Sequence, residues 1–407
     1  RHFDAGLLLR QVDTGGSDRI YESVLLEDLR WLNRNPFREV DLTLEPGEEF
    51  GETDVVFNVT DRCPVRGYLG YEDTGTRQTD LERLIFGINW GNALWQDHQL
   101  AYQYTASPDF KTLQAHTAVY EIPLPNRDIL LVYGAYATAE TSPSPFDLEG
   151  RSWQTSVRYR HYLDPHPDGE RFFVVGFDFK QTNNNLDFGG SQAFLSSADI
   201  PQTAVGYHAT RVKEDVAIGF GADIYIGLEG FSSGASDADY STIRALAAPD
   251  YLYTRMYLEY QRRLPHDWTF YTKLTGQMSN RNLLPSETIA FGGFYSIRGY
   301  DMYFRAGDAG YVLNTELRTK PISLGLGPVK DDQLQGLLFW DIGPAWVNTP
   351  VAASDPEGLL LSGVGVGARY ALGRSLALRC DYGWQLHRVL PDLARGSRLH
   401  MAAVASY

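Results

Sequence analysis

Two cysteines and four methionines in 407 residues leave little room for thiol chemistry. Cys63 and Cys380 lack the paired spacing of a metal site, and both are expected to be free thiols. Basic charge is also short. The chain carries 36 Lys+Arg against 51 Asp+Glu, a formal net charge of −15, which argues against a nucleic-acid partner because such a partner needs a basic face. No run reaches the ~18 apolar residues of a membrane-crossing helix. The longest, Ile129 to Ala137, is broken by Gly134, and mean hydropathy is −0.30. A helical membrane protein is therefore excluded. There is no phosphate-binding loop and no metal-ligand cluster, so no metal or other cofactor is expected. His208, His387 and His400 do not read as parts of a catalytic triad, and His208 and His387 are expected to stand isolated. No secretory leader is visible before Arg1, so the expectation is that one was removed or that the sequence starts downstream of it.

What is abundant points to strands. The chain has 25 Tyr, 20 Phe, 8 Trp and 39 Gly, and its 43% apolar and 21% charged content excludes a disordered chain. Helical spacing is confined to the start. Phe3 to Val12 reads as a short helix. Ser17 to Asn33 reads as a second, capped by Ser17, with Ile20, Val24, Leu25, Leu29 and Leu32 at helical spacing and Pro36 beyond its end. Glu39 to Leu44 and Asp54 to Val59 then alternate as strands around a Pro46-Gly47 turn. Residues 1–62 thus form a small α+β module in the order helix, helix, strand, strand.

From residue 65 to 407 the pattern is different. Segments of about ten residues alternate strictly, separated by Gly, Pro, Asn or Asp. In one, Trp268, Phe270, Thr272, Leu274 and Met278 oppose Thr269, Tyr271, Lys273, Thr275 and Gln277. In another, Leu334, Leu338, Trp340 and Ile342 oppose Gln335 and Asp341. In a third, Leu376, Leu378, Cys380, Tyr382, Trp384 and Leu386 oppose Ser375, Arg379, Asp381, Gln385 and His387. One face suits lipid and the other water. About sixteen such segments, roughly 21 residues each with their connections, fit a closed antiparallel transmembrane β-barrel of sixteen strands. The terminal strand ends on Tyr407, whose aromatic ring falls on the apolar face, as an interfacial girdle requires. A soluble all-β protein, such as a sandwich or propeller, would also alternate.

The most informative stretch is Phe291-Gly-Gly-Phe-Tyr-Ser-Ile297-Arg298-Gly299-Tyr300, followed by Gly307-Asp308-Ala309-Gly310. The next strand carries Asn314, Glu316 and Arg318 on its inner face, and the one after it carries Phe339, Asp341 and Gly343. These residues resemble the two-partner secretion transporters (TpsB, haemolysin-activator type) of the barrel-assembly, BamA-like superfamily. That family has a [V/I]-R-G-[F/Y] motif at the tip of its sixth extracellular loop and F-x-D-x-G on its thirteenth strand. Leu32-Asn33-x-Asn35-Pro36 with Pro46-Gly47 and Gly51-x-Thr53-Asp54 resembles the end of a periplasmic POTRA module lacking its first strand. Glu72 to Thr76 resembles the family turn after the first barrel strand, and Ser362 to Gly367 resembles strand fourteen.

The resemblance implies an outer-membrane protein of a Gram-negative-type bacterium, with its N-terminal module in the periplasm. It implies transport of an unfolded secreted client polypeptide without nucleotide. The implied mechanism has two sites. Val40, Leu42, Leu44, Val55 and Phe57 would bind the client along exposed strand edges by β-augmentation. The loop 292–310 would fold back into the lumen, where Arg298 meets Asp341 in a charge-assisted contact, with Ile297, Gly299, Tyr300, Asp308, Glu316, Phe339 and Gly343 completing the lock. Gly363, Gly365 and Gly367 face inward and leave space for what fills the lumen. The expected partners are the client and outer-membrane lipid, and the expected state is a monomer. An insertase of the same superfamily and a passive porin are the alternative readings.

Overall fold

A computed structural model describes residues 2–13, 19–141, 148–163, 168–182, 197–325, 332–351, 357–387 and 395–407. Helices α1 (Ala5–Leu9) and α2 (Glu22–Asn33) precede a hairpin of β1 (Arg38–Pro46) and β2 (Thr53–Asp61). Asp4 caps α1, its carboxylate accepting the Leu7 amide at 2.8 Å. Phe3, Leu8, Leu32, Phe37 and Val40 form the buried core between helices and hairpin. Both helices are shorter than their apolar spacing predicts. α2 starts at Glu22 behind Tyr21, which makes no side-chain cap, and Ser17 lies outside the described residues. Ile20 falls before the helix and is exposed, so it has no core to join.

The barrel begins with β3 (Val65–Glu72), β4 (Arg83–Ala93), β5 (His98–Ala106), β6 (Leu113–Pro123), β7 (Ile129–Thr141) and β8 (Leu148–Tyr162). It continues with β9 (Arg171–Thr182), β10 (Ala198–Lys213), β11 (Val216–Gly227), β12 (Leu252–Arg263) and β13 (Thr269–Ser279). A short helix, α3 (Asp237–Ile243), lies between β11 and β12. After β13 a long loop carries its own hairpin, β14 (Ile289–Phe291) paired with β15 (Arg305–Gly307). The last five barrel strands are β16 (Ala309–Arg318), β17 (Asp332–Trp346), β18 (Glu357–Leu372), β19 (Leu376–Gln385) and β20 (Ser397–Ser406). The sixteen strands pair in sequence order, all antiparallel, and β20 closes onto β3. Closure pairs strand backbones with no open sheet edge, the condition a sheet must meet to sit in lipid.

Strand register puts the alternation where lipid and water require it. Leu274, Met278, Leu338, Trp340, Leu378, Tyr382 and Trp384 point outward and are exposed, while Asp341, Asp381 and Gln277 point inward and are buried. The β20–β3 seam is short, with five residue pairs from Ala402–Glu72 to Ser406–Tyr68. Just above it Asp73 takes over from the strand. Its amide donates to the Met401 carbonyl, and its carboxylate accepts the Met401 amide at 2.9 Å.

The module sits on the barrel through buried charge. Asp97, in the turn between β4 and β5, is fully buried and accepts from Arg34 at 2.5 Å, from Asn35 at 2.8 Å and from Arg38. Asn35 also donates to the Gly91 carbonyl at 2.5 Å. Burial would raise the Asp97 carboxyl, but Arg34 and Arg38 outweigh it and hold the group below the ordinary carboxylate range. The next turn on the same side adds Arg127, which pairs with Asp28 on α2 and with Glu27 at 2.8 Å.

Candidate functional site

The loop between β13 and β16 is the sixth connection at the barrel end opposite the module, and its tip reaches inside the barrel wall. At the tip, Arg298 is 2% exposed and Asp341 is fully buried. Arg298 Nε donates to Asp341 Oδ2 at 2.7 Å and Nη2 donates to Oδ1 at 2.8 Å, a planar two-pronged contact. The Arg298 amide also donates to Asp341, at 3.1 Å. Nη1 donates to Glu316 on β16 at 2.6 Å and to Asp381 on β19 at 3.5 Å. The guanidinium lies 3.7 Å from the Phe339 ring centre, a cation–π contact out of water.

The three carboxylates are themselves held. Arg318 binds Glu316 at 2.8 Å, Arg369 binds Asp381 at 2.6 Å, and Arg379 binds it at 2.9 Å. Asn314 donates to Asp341 at 2.8 Å and to the Ser296 carbonyl at 2.6 Å. Asp381 and the arginines 369 and 379 were not singled out as lock residues in the sequence. The alternation already placed Arg379 and Asp381 on the lumen face of β19, and that inward charge was the available signal.

Of the other residues named with the lock, Gly343 and Asp308 lie apart from the tip. Ile297 and Tyr300 are fully buried in a cluster with Phe291, Val312, Ala345 and Leu361. The Tyr300 hydroxyl donates to the Ser362 carbonyl at 3.1 Å. Gly299 turns at φ +97°, its amide donating to His400 at 3.4 Å and its carbonyl accepting from Gln385 at 2.9 Å. A Cβ at Gly363 would overlap the Arg298 carbonyl oxygen, so bare backbone there is what lets the tip lie against β18. Gly365 and Gly367 make room for Phe339 and Asp381, wall side chains, and not for the loop itself. Gly343 lets β17 approach the Tyr311 carbonyl. Asp308 also stands away from the tip. It does not touch Arg298; its carboxylate binds Arg244, from the β11–β12 connection, at 2.5 and 3.1 Å.

Two further expectations need correction. His208 is not isolated: Nε2 lies 3.0 Å from Asp223 and its ring stacks on Phe172. Neighbouring strands bring these inward residues together, which spacing along one strand does not reveal. In the module, Val40 drops out as a client-binding residue. Its side chain is in the core, and Asn33 takes both its amide and its carbonyl at 2.8 Å. Because backbone groups alternate along a strand, Leu42 and Leu44 turn theirs to the outer edge of β1. Their partners Phe57 and Val55 turn theirs to the outer edge of β2. Cys63 and Cys380 are exposed free thiols, as expected.

Among the described residues, no group of His, Cys, Asp and Glu is arranged to hold a metal. What the arrangement offers is a closed barrel whose bore is crossed by a charge-locked loop. The class this defines is an outer-membrane β-barrel protein with an inward-folded sixth loop. Residues 51–370 match the family of haemolysin secretion/activation proteins ShlB/FhaC/HecB, and the chain belongs to that family. It is accordingly an outer-membrane protein translocator of the two-partner secretion type.

Solved structures agree in fold. CdiB from Escherichia coli superposes with a TM-score of 0.82 at 18% identity, covering 99% of this chain and 74% of that one. CdiB from Acinetobacter baumannii gives 0.76 at 17% identity, covering 100% of this chain and 72% of that one. BamA from Haemophilus ducreyi lacking POTRA domains 1–3 gives 0.61 at 12% identity, with 100% and 82% covered. No curated protein matches the sequence.

Proposed function

We propose that this protein secretes an unfolded client polypeptide through its own barrel, as a monomer in outer-membrane lipid, with no covalent step and no nucleotide. The observation that carries the reading is the Arg298 tip inside a closed barrel, buried against three wall carboxylates. A lumen so occupied does not pass a polypeptide until the tip moves. The POTRA-like module, residues 1–62, captures the client first. In the structure, β1 and β2 form a two-stranded sheet, and Leu42 and Leu44 on one edge and Val55 and Phe57 on the other offer backbone groups to an extended chain. Such pairing is tolerant of sequence, which suits an unfolded client.

The test is a double-mutant cycle on Arg298→Ala and Asp341→Ala. The readout is export of the polypeptide that disappears from the culture medium when the gene is deleted. The expected result is strong non-additivity, because either change alone already opens the lock. Strictly additive losses would reject the Arg298–Asp341 contact as the organiser of the pore.

A further inference from the structure

The loop that enters the lumen is held at two places with different sets of polar partners. Its tip, residues 292–304, contacts β16 to β20 and β3. Arg298 binds Glu316, Asp341 and Asp381; Tyr300 reaches Ser362; Asp301 pairs with Arg398; and Tyr295 donates to Glu72 at 3.0 Å. Its stem, around the β14–β15 hairpin, packs on β16 and β17 too, but its charged and polar ties run to strands the tip does not reach. Glu287, fully buried, accepts from Lys180 on β9 at 2.9 Å and from the Tyr253 hydroxyl on β12 at 2.6 Å. Its carbonyl accepts from Arg255 on β12 and Gln277 on β13.

Asp308, fully buried, closes the stem's far end. Besides Arg244 it accepts the Leu283 amide at 2.8 Å and the Asn348 amide at 3.0 Å. One carboxylate thus pins the start and end of the loop to its two neighbouring surface connections. Between stem and tip stand Gly292 and Gly293, at φ +97° and +102°, a backbone region that side-chain-bearing residues rarely adopt. Paired glycines of this kind absorb large dihedral changes at low cost.

We infer that the loop is built in two parts. Glu287 and Asp308 are positioning residues that keep the stem on the wall, while the Arg298 tip swings about Gly292–Gly293. This rests on the proposal that the tip moves during secretion. It adds that the stem does not move, so the tip returns to the same lock after each client. A loop leaving as one body would have to break the Glu287 and Asp308 contacts together with the Arg298 cage.

The experiment ties each part down in turn, in a background with Cys63→Ser and Cys380→Ser. Lys180→Cys with Glu287→Cys, joined by a reducible bis-methanethiosulfonate linker, immobilises the stem. Glu72→Cys with Tyr295→Cys, joined likewise, immobilises the tip. Each linked protein is compared with its own reduced form for client export and for KCl conductance in planar bilayers. The stem-linked protein is expected to export within about twofold of its reduced form. The tip-linked protein is expected to lose about tenfold or more, recovered on reduction. A reversible block by the stem link would overturn the two-part loop and leave the moving tip intact. Export through the tip-linked protein would instead overturn the moving tip.

If the stem cysteines prevent folding, Arg244→Cys with Asp308→Cys links the same stem from the β11–β12 connection. A charge test accompanies the links. Glu287→Gln is expected to raise the frequency of brief KCl openings several-fold, and Glu287→Asp to restore it. A loss of thermal stability with unchanged opening frequency would reduce Glu287 to scaffold and overturn its positioning role.

Discussion

Two buried charge cages, one at each end of this protein, invite comparison. In the lumen a single cation, Arg298, is held by carboxylates from three strands. At the junction the signs are reversed: a single anion, Asp97, is held by Arg34 and Arg38 from the module. In both, residues far apart in sequence are brought to one point, and in both the central charge is out of water. Buried ion pairs of this kind add little net stability over an apolar contact but are costly to break by removing one partner. They act as registration devices. The difference lies in what surrounds them. In the lumen Glu316 and Asp381 have their own arginines in reserve and Asp341 has Asn314, whereas the junction arginines have Asp97 as their shared, fully buried acceptor.

The comparison can be broken experimentally. The largest effect is expected from Arg298→Ala, which leaves Asp341 buried with Asn314 as its remaining side-chain donor. A local loss of about 3–5 kcal/mol is expected, seen as loop residues becoming protease-sensitive while the barrel stays folded. Asp97→Ala should cost nearly as much, about 3 kcal/mol, by leaving two arginines facing each other. Its signature is different: cleavage near Cys63 releases the module, and the lumen lock is untouched. Equal protease sensitivity at both places in either variant would show that the cages are coupled.

Gly363→Ala asks whether shape alone can empty the lumen cage, since every charge is kept while a methyl group collides with the Arg298 carbonyl. About 1–3 kcal/mol is expected, read as raised bilayer conductance. Acid separates the ends further. Asp97 has a folded pKa below its unfolded value of ~3.9, so the junction keeps its full contribution above that pH. The contribution is lost as pH falls through the folded pKa, because the unfolded chain then binds the proton first. Module release on acidification, abolished by Asp97→Asn, checks the sign.

The smallest effect is expected at the seam. Burial raises the Asp73 carboxyl to about 6, so its contribution is complete below the unfolded value and fades as pH rises through 6. Thermal stability should therefore fall slightly between pH 5 and 7, and Asp73→Asn should flatten that dependence.

Much of this was legible in the sequence, for a physical reason. A strand that separates lipid from water has a period of two, and every inward residue named on β13, β17 and β19 obeyed it. The Arg298 motif and Asp341 could be matched because each lies within a short contiguous stretch. What stayed hidden depends on which strands become neighbours. Glu287 and Lys180 are 107 residues apart, and nothing local marks Glu287 as buried. Asp308 looked like part of the Arg298 motif because it is close in sequence, yet its partner Arg244 lies in the preceding surface connection. The early start read for α2 failed because apolar spacing through Ile20 continued past the point where the core ends. Val40 was misread because the blocking group, Asn33, reaches it from the end of a helix.

The reserve arginines have a consequence for ion selectivity. When Arg298 is withdrawn, Glu316 keeps Arg318 and Asp381 keeps Arg369 and Arg379, while Asp341 keeps the amide of Asn314. That stretch of bore is then balanced, three of each sign, and should discriminate weakly between potassium and chloride.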